Sequence, residues 1–324
     1  MNSPLRHVRL AVNALVLLLT AGCFGGTVQP VRPETQLRAE TALNRGIRAE
    51  QRGDGLEAER LLLQSLAISS SVEDFPARTA ALINLARLYR LRRDFPHADN
   101  CIDQALATAQ IDPYFLAEAA YEKALVELAK DRPATAQEWA QKAITAERGN
   151  ALGRRLNLAA RIQLVVGRWS DAEALASKAL SENRDAGLAA EEANSLRILG
   201  IVARHENYHD LGEKHLQEAL QIDKRIGRNS KIAADLGELA ETARSAGKLK
   251  ESAAFLERAY EVNLAGGRLR QALENQEALA GVYLALGEES MAARAREVAR
   301  DVALQIASQA PGSPSSTINP SSRP

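Results

Sequence analysis

Leu199–Ile222 reads LGIVARHENYHDLGEKHLQEALQI, and two readings of it lead to different molecules. In one, it is two helices joined by a short turn, with small residues at Gly200, Gly212 and Ala219 where helices cross. In the other, His205, Glu206, His209, Gly212 and His215 spell HExxHxxGxxH, three imidazoles and a carboxylate within one short stretch. The rest of the chain decides between them.

Gly200, Gly212 and Ala219 are separated by steps of 12 and 7. The same steps recur at Gly46-Ala58-Ser65, Ala86-Ala98-Ala105, Ala124-Ala136-Ala143 and Ala160-Ala172-Ala179, and again at Ala240-Ser252-Ala259 and Ala280-Ala292-Ala299. One such triplet carries no information in a chain this rich in Ala. Seven in succession, with starts advancing by 40, 38, 36, 40, 40 and 40, define a repeat. The physical cause is close packing. Two antiparallel helices approach only where side chains are small, and the third small residue lets the next pair stack. Apolar residues keep helical spacing around these points, as in Leu82, Leu85 and Tyr89 or Leu196, Leu199 and Val202. Turn signals fall between the helices, at Gly53-Asp54-Gly55, Asp94-Phe95-Pro96, Asp131-Arg132-Pro133, Gly167-Arg168, Ala246-Gly247 and Leu286-Gly287. Pro96 and Pro133 sit where a second helix begins, a place that tolerates a missing N–H. The pattern predicts an all-α solenoid of seven helix pairs over residues 37–308.

Leu85-Ala86-x-x-Tyr89 and Leu279-Ala280-x-x-Tyr283, and in part Leu199-Gly200, resemble the first-helix signature of the tetratricopeptide repeat family. The resemblance covers about residues 37–308 and implies a right-handed solenoid. The family's period is about 34 residues, whereas here it is mostly 40, and the Pro that usually closes each second helix is largely missing. The first unit has Arg45 where an apolar residue is expected, and the third has Lys123 and Glu127 at usually apolar places.

The resemblance further implies that the first helix of each unit lines a concave groove holding an extended peptide or a partner helix. Its inward positions fall on Asn84, Arg87 and Arg90 in the second unit, and on Tyr121 and Glu122 in the third. They fall on Arg154, Asn157 and Arg161 in the fourth, and on Asn194, Arg197 and Arg204 in the fifth. Asn can both donate to and accept from a peptide backbone, and Arg can grip a carboxylate in a fork. Glu238, Glu241, Glu274 and Glu277 make the same wall acidic toward the C-terminus. The competing reading of these residues is a solvated polar face laced by internal salt bridges.

HENYHDLGEKH resembles the metzincin protease signature, which needs its first two His on one face of one helix. In the repeat register His205 ends a first helix, Asn207 and Tyr208 form the turn, and Gly212 lies within the second helix. His209 and His215, six positions apart on a helix, then point to different sides. No strand-rich region precedes the motif, and Met291 belongs to the seventh repeat. A zinc-dependent hydrolase is the alternative from a different functional class. The repeat reading expects no metal site, no catalytic residue and no cofactor. There is no phosphate-binding glycine loop, no GxSxG and no CxxC.

The N-terminus reads as an address. Arg6, His7 and Arg9 precede an apolar run, Leu10 to Ala21, that is too short to span a membrane and suits a secretory signal. Leu19-Thr20-Ala21-Gly22-Cys23 resembles a bacterial lipobox, which implies a signal peptide over 1–22 and a lipidated Cys23. Phe24 rather than Asp follows the Cys, which by resemblance to enterobacterial sorting implies the outer membrane. Residues 23–36 then read as a flexible tether and 309–324 as a disordered tail, both rich in Gly, Pro or Ser. Cys101 has no second thiol to pair with once Cys23 is lipidated, and reads as a small buried apolar group.

Lys+Arg and Asp+Glu both number 41, so no overall basic excess points to nucleic acid. The expected molecule is a lipid-anchored, periplasm-facing scaffold or assembly factor. It would be non-enzymatic, with an envelope protein or extended peptide in its groove and the membrane held through Cys23. A second form of that expectation is an adaptor of a secretion, pilus or exopolysaccharide export machine.

Overall fold

The structure, a computed structural model, describes residues 33–109 and 113–308. The expected signal segment 1–22, Cys23, most of the 23–36 tether and the 309–324 tail lie outside the described residues. Fourteen helices and no strand occupy the described residues. They pair as α1 (Glu34–Gln51) with α2 (Gly55–Ser71), α3 (Phe75–Leu91) with α4 (Phe95–Ala109), and α5 (Pro113–Ala129) with α6 (Pro133–Ala146). The next pairs are α7 (Leu152–Val165) with α8 (Trp169–Asp185) and α9 (Ala189–His205) with α10 (His209–Arg225). The last are α11 (Asn229–Ser245) with α12 (Leu249–Ala265) and α13 (Leu269–Ala285) with α14 (Glu289–Ser308). The chain is an all-α solenoid of seven helix pairs, as the repeat predicts.

One boundary needs correction. The helix begins at Glu34, so residues 34–36 belong to the solenoid and not to the tether. Pro33 caps it in an extended conformation, and Glu34 places its carboxylate in the first turn, where the unpaired N–H groups favour negative charge.

Every member of the seven small-residue triplets is buried. From α8 to α13 each helix has 17 residues, so two helices and two three-residue links make the 40-residue unit. The short step of 36 falls where α6 and α7 have only 14 residues each.

Most of the described links share one chemistry, the exception being that from α6 to α7, where Glu147 leaves the helix extended. Tyr208 N–H donates to the Ala203 carbonyl (2.8 Å) and Asn207 N–H to the Arg204 carbonyl (3.0 Å). This is a Schellman closure, and it needs a left-handed residue at Asn207, where φ is 65°. Asn tolerates that conformation better than most side chains, which explains why it stands in the middle of the histidine motif.

Each helix packs against its neighbours in sequence, and from α1 to α11 each first helix also touches the next first helix. Among the described residues no pair of second helices is in comparable contact, so the first helices form the inner layer of the stack. The weak third unit is accounted for here. Lys123 and Glu127 are buried but paired: Lys123 Nζ lies 3.0 Å from Asp99 and 2.9 Å from Asp103, and Lys130 bridges Asp99 and Glu127 at 2.9 Å each. An ion cluster thus sits beside the apolar contact that Ala119 and Val126 make with the second unit. Cys101 is buried, and burial pushes its thiol up to about 11, so it packs as an apolar group.

Candidate interaction face

The inner layer carries the residues that the sequence assigns to a binding groove, and most of them are held by internal partners. Arg90 Nε donates to Glu122 Oε1 at 2.6 Å, and Arg87 lies 3.8 Å from the other oxygen of the same carboxylate. Glu122 is only 1% exposed; burial raises its pKa, and the nearby arginines oppose that shift. Arg154 lies 3.3 Å from Glu118 and sits 4.1 Å over the Tyr121 ring. Arg155, buried beside it, bonds Glu118 and Glu147. Burial pushes the Glu118 carboxyl up, but Arg154 and Arg155 outweigh it and hold the carboxyl below its usual range. Arg204 reaches Glu238 at 2.7 Å.

Asn157 departs furthest from its expected role. Its Nδ2 donates to the Glu191 carbonyl (2.9 Å) and to Glu191 Oε2 (3.1 Å), while its Oδ1 accepts from Ser195 Oγ (2.8 Å). The carboxamide is saturated and 3% exposed, so it ties the fourth unit to the fifth. Arg197 is buried likewise, with Nε donating to Asp235 (2.6 Å) and Nη2 to Asp223 (2.5 Å). Burial raises the Asp235 carboxyl to about 6, against the pull of Arg197 and with help from the Asp223 charge. Asn194 gives its Nδ2 to Glu191 Oε2 and accepts from Arg197 Nη1. Asn84 donates back to the Ala80 carbonyl at 2.8 Å. Arg161 alone among the nine has no hydrogen bond or ion pair with the described residues.

Sequence reading missed a ladder at the junctions between units. Asn183, Asp223 and Asn263 recur at 40-residue spacing near the ends of second helices, and all are buried. Two engage the next first helix: Asn183 donates to Ser195 Oγ at 3.1 Å, and Asn263 donates to Asn275 Oδ1 at 2.8 Å. Asp223 accepts instead from Arg197 of α9, the first helix of its own unit, and Arg197 carries the link on to Asp235 of α11. Ser195, Asp235 and Asn275 recur at 40-residue spacing as well, so the signal was present in the sequence.

The inner layer also holds a cavity of about 290 Å³ between α5, α7, α9 and α11. Arg161, Arg197 and Lys231 face it with Glu191, beside apolar residues that include Leu164, Val165 and Ile201.

The histidine motif makes no comparable constellation. The helix ends at His205, where a metzincin helix would have to continue to His209. His205 stacks on Trp169 with ring centroids 3.6 Å apart, Glu206 closes α9, and Gly212 lies under the crossing with Gly200. Among the described residues, no group of three or more His, Cys, Asp or Glu side chains is arranged to hold a metal ion.

Comparison with known proteins agrees with this architecture. A tetratricopeptide repeat family model matches residues 191–265, which cover nearly all of α9 to α12. No curated protein sequence matches the chain significantly. Among solved structures, the Rap protein complexed with competence and sporulation factor superposes with a TM-score of 0.64 at 15% identity, over 83% of this chain and 77% of that one. NprR in complex with its cognate peptide NprX gives 0.56 at 14% identity, over 82% and 79%. A signal-transduction ATPase with a tetratricopeptide repeat sensor from Pyrococcus horikoshii gives 0.63 at 16% identity, over 83% of this chain but 43% of that one. At these identities the likeness is one of fold, and the fold is that of the tetratricopeptide solenoids.

Proposed function

We propose that this chain is a non-enzymatic scaffold that holds a segment of a partner protein along its inner layer of first helices. The observation that carries the reading is the cavity between α5, α7, α9 and α11, where three cations meet one carboxylate. Several neighbouring charges on the layer are closed into ion pairs, as Arg90 is with Glu122, Arg154 with Glu118 and Arg204 with Glu238. Two of the structurally similar proteins, Rap and NprR, were solved with a factor or a cognate peptide bound, and the same kind of ligand suits this face.

The address completes the proposal. Lipid on Cys23 anchors the chain in the outer membrane, with the solenoid facing the periplasm and serving assembly of an envelope complex. The test is crosslinking in intact membranes followed by purification of the full chain. A specific envelope partner should be captured, and the double change Arg87→Glu with Arg161→Glu should reduce its yield severalfold. Undiminished capture by the double variant would place the binding surface elsewhere, and recovery of the chain in the soluble fraction would remove the lipid anchor.

A further inference from the structure

Leu164, Val165 and Ile201 line the cavity with apolar groups, and Arg161, Arg197 and Lys231 line it with cations. Arg161 and Val165, like Arg197 and Ile201, stand one turn apart on the same helix, so each cation has an apolar neighbour beside it. Only one carboxylate, Glu191, lines the space, and its Oε2 already accepts from Asn157 and Asn194. Arg197 is neutralised from behind by Asp223 and Asp235. Arg161 and Lys231 are not: neither side chain forms a hydrogen bond or ion pair with the described residues. Burial, followed by the charges of Arg197, Arg161 and Arg228, pushes the Lys231 amine down to about 8, while Asp223 pulls weakly the other way. Two cations without a side-chain partner, set among apolar groups in a cleft that opens to solvent at Arg161 and Val165 and carries one carboxylate, make a place that attracts an anion.

We propose that this cavity binds a carboxylate attached to a compact apolar group, with the anion between Arg161 and Lys231 and the apolar part against Leu164, Val165 and Ile201. The volume lies at the low end of ligand pockets, which run from ~300 Å³ upward, and so limits the guest to about one side chain. A free amino acid is disfavoured, because its ammonium would enter a site already crowded with cations. The guest is therefore an acid whose nitrogen is acylated or absent. The C-terminal residue of a segment lying along the face meets that description, and so does a small free carboxylic acid. The first source rests on the scaffold reading above, and the second does not.

Titration calorimetry on the full chain tests the proposal with N-acetyl-leucine, N-acetyl-leucinamide, leucine and 4-methylpentanoate. N-acetyl-leucine should bind saturably, with the amide and free leucine at least about tenfold weaker. Lys231→Met and Arg161→Met, which keep the apolar stem and remove the charge, should each weaken it by about tenfold. Arg244→Met, outside the cavity, should leave it unchanged. Tighter binding of an acetylated peptide ending in leucine than of N-acetyl-leucine assigns the site to a chain terminus. Equal binding of that peptide and 4-methylpentanoate assigns it to a free acid. Equal affinity for acid and amide, binding undiminished in both Met variants, or no saturation by either acid up to about 20 mM would overturn the proposal. Partner capture in membranes that survives Lys231→Met, with no acid binding, removes this assignment and leaves the scaffold reading standing. Acid binding without any captured partner does the reverse.

Discussion

Gly200 and Gly212 cross almost backbone to backbone: a Cβ placed on Gly212 would lie 3.1 Å from the Gly200 carbonyl oxygen, and one on Gly200 would lie 2.6 Å from Leu216 Cγ. The glycine that a zinc protease would use to turn its chain is here the closest point of a helix pair.

Side chains at this crossing should therefore act against stability. Gly200→Val should destabilise by about 1–3 kcal/mol, as overpacked cores do. Gly237 lies in α11 with nothing within 4 Å of its missing Cβ, so Gly237→Ala should gain up to about 1 kcal/mol from helix propensity alone. Urea midpoints of the two variants should move in opposite directions. Equal shifts would mean that the crossing does not constrain the fold.

Ala160→Leu and Ala240→Leu probe the same register in other units, since both alanines are fully buried at first-helix crossings. Each should lower stability by about 1–3 kcal/mol. Melting curves that coincide with the parent would show that the step-of-12 spacing has been placed on the wrong residues.

The solenoid was legible because its cause is local and repeated. Small residues at fixed steps survive any choice of surface, so Ala86, Ala160 and Ala240 announce the crossings without further help. The state of the groove charges was not legible. Arg90, Arg154 and Arg204 read as free cations because their partners lie 32, 36 and 34 residues away, on the neighbouring first helix. Asn183, Asp223 and Asn263 went unread for a related reason. A polar residue near a helix end ordinarily faces water, and only the next unit buries it.

The difference between paired and unpaired arginines has a measurable consequence. Arg90→Ala strips a buried carboxylate, Glu122, of its 2.6 Å partner, a loss that costs about 3–5 kcal/mol when one member of a buried pair is removed. Arg161→Ala breaks no internal bond and should stay within about 0.5 kcal/mol of the parent. Chemical unfolding distinguishes the two. Similar losses for both variants would show that Arg161 has an internal partner after all.

Asp235 gives the junction ladder a pH signature. Its carboxyl sits at about 6 in the folded chain, above its ordinary value of 3.8, because burial disfavours the charge. The folded state thus binds this proton more tightly than the unfolded chain does, and the contribution of Asp235 to stability falls as pH rises from about 4 to about 6. Asp235→Asn removes that dependence and keeps an acceptor for Arg197. Across this window the variant should gain stability relative to the parent, read from urea midpoints at each pH. A constant difference would mean that Asp235 is ionised throughout.

Lys231 carries the opposite sign and ties stability to the cavity. Its amine sits at about 8 in the folded chain, below its ordinary value of 10.5, because burial and then Arg197, Arg161 and Arg228 disfavour the proton. The unfolded chain holds that proton more firmly, so below about pH 8 the folded state bears a charged Lys231 at a loss. Between about 8 and 10.5 the loss fades, and above 10.5 it is gone. Lys231→Met keeps the stem and removes the charge. At pH 7 the variant should be more stable than the parent by about 1–2 kcal/mol once solvent screening is allowed for. That advantage should shrink steadily as the pH approaches 10.5, because the difference between the two proteins isolates this one group from the tyrosines and Cys101. Thermal melts of both proteins from pH 6 to 10.5 give the comparison. A less stable variant at pH 7, or a gap that widens with pH, would show that an internal anion already neutralises Lys231, and a cation so neutralised would have no need of a ligand's carboxylate.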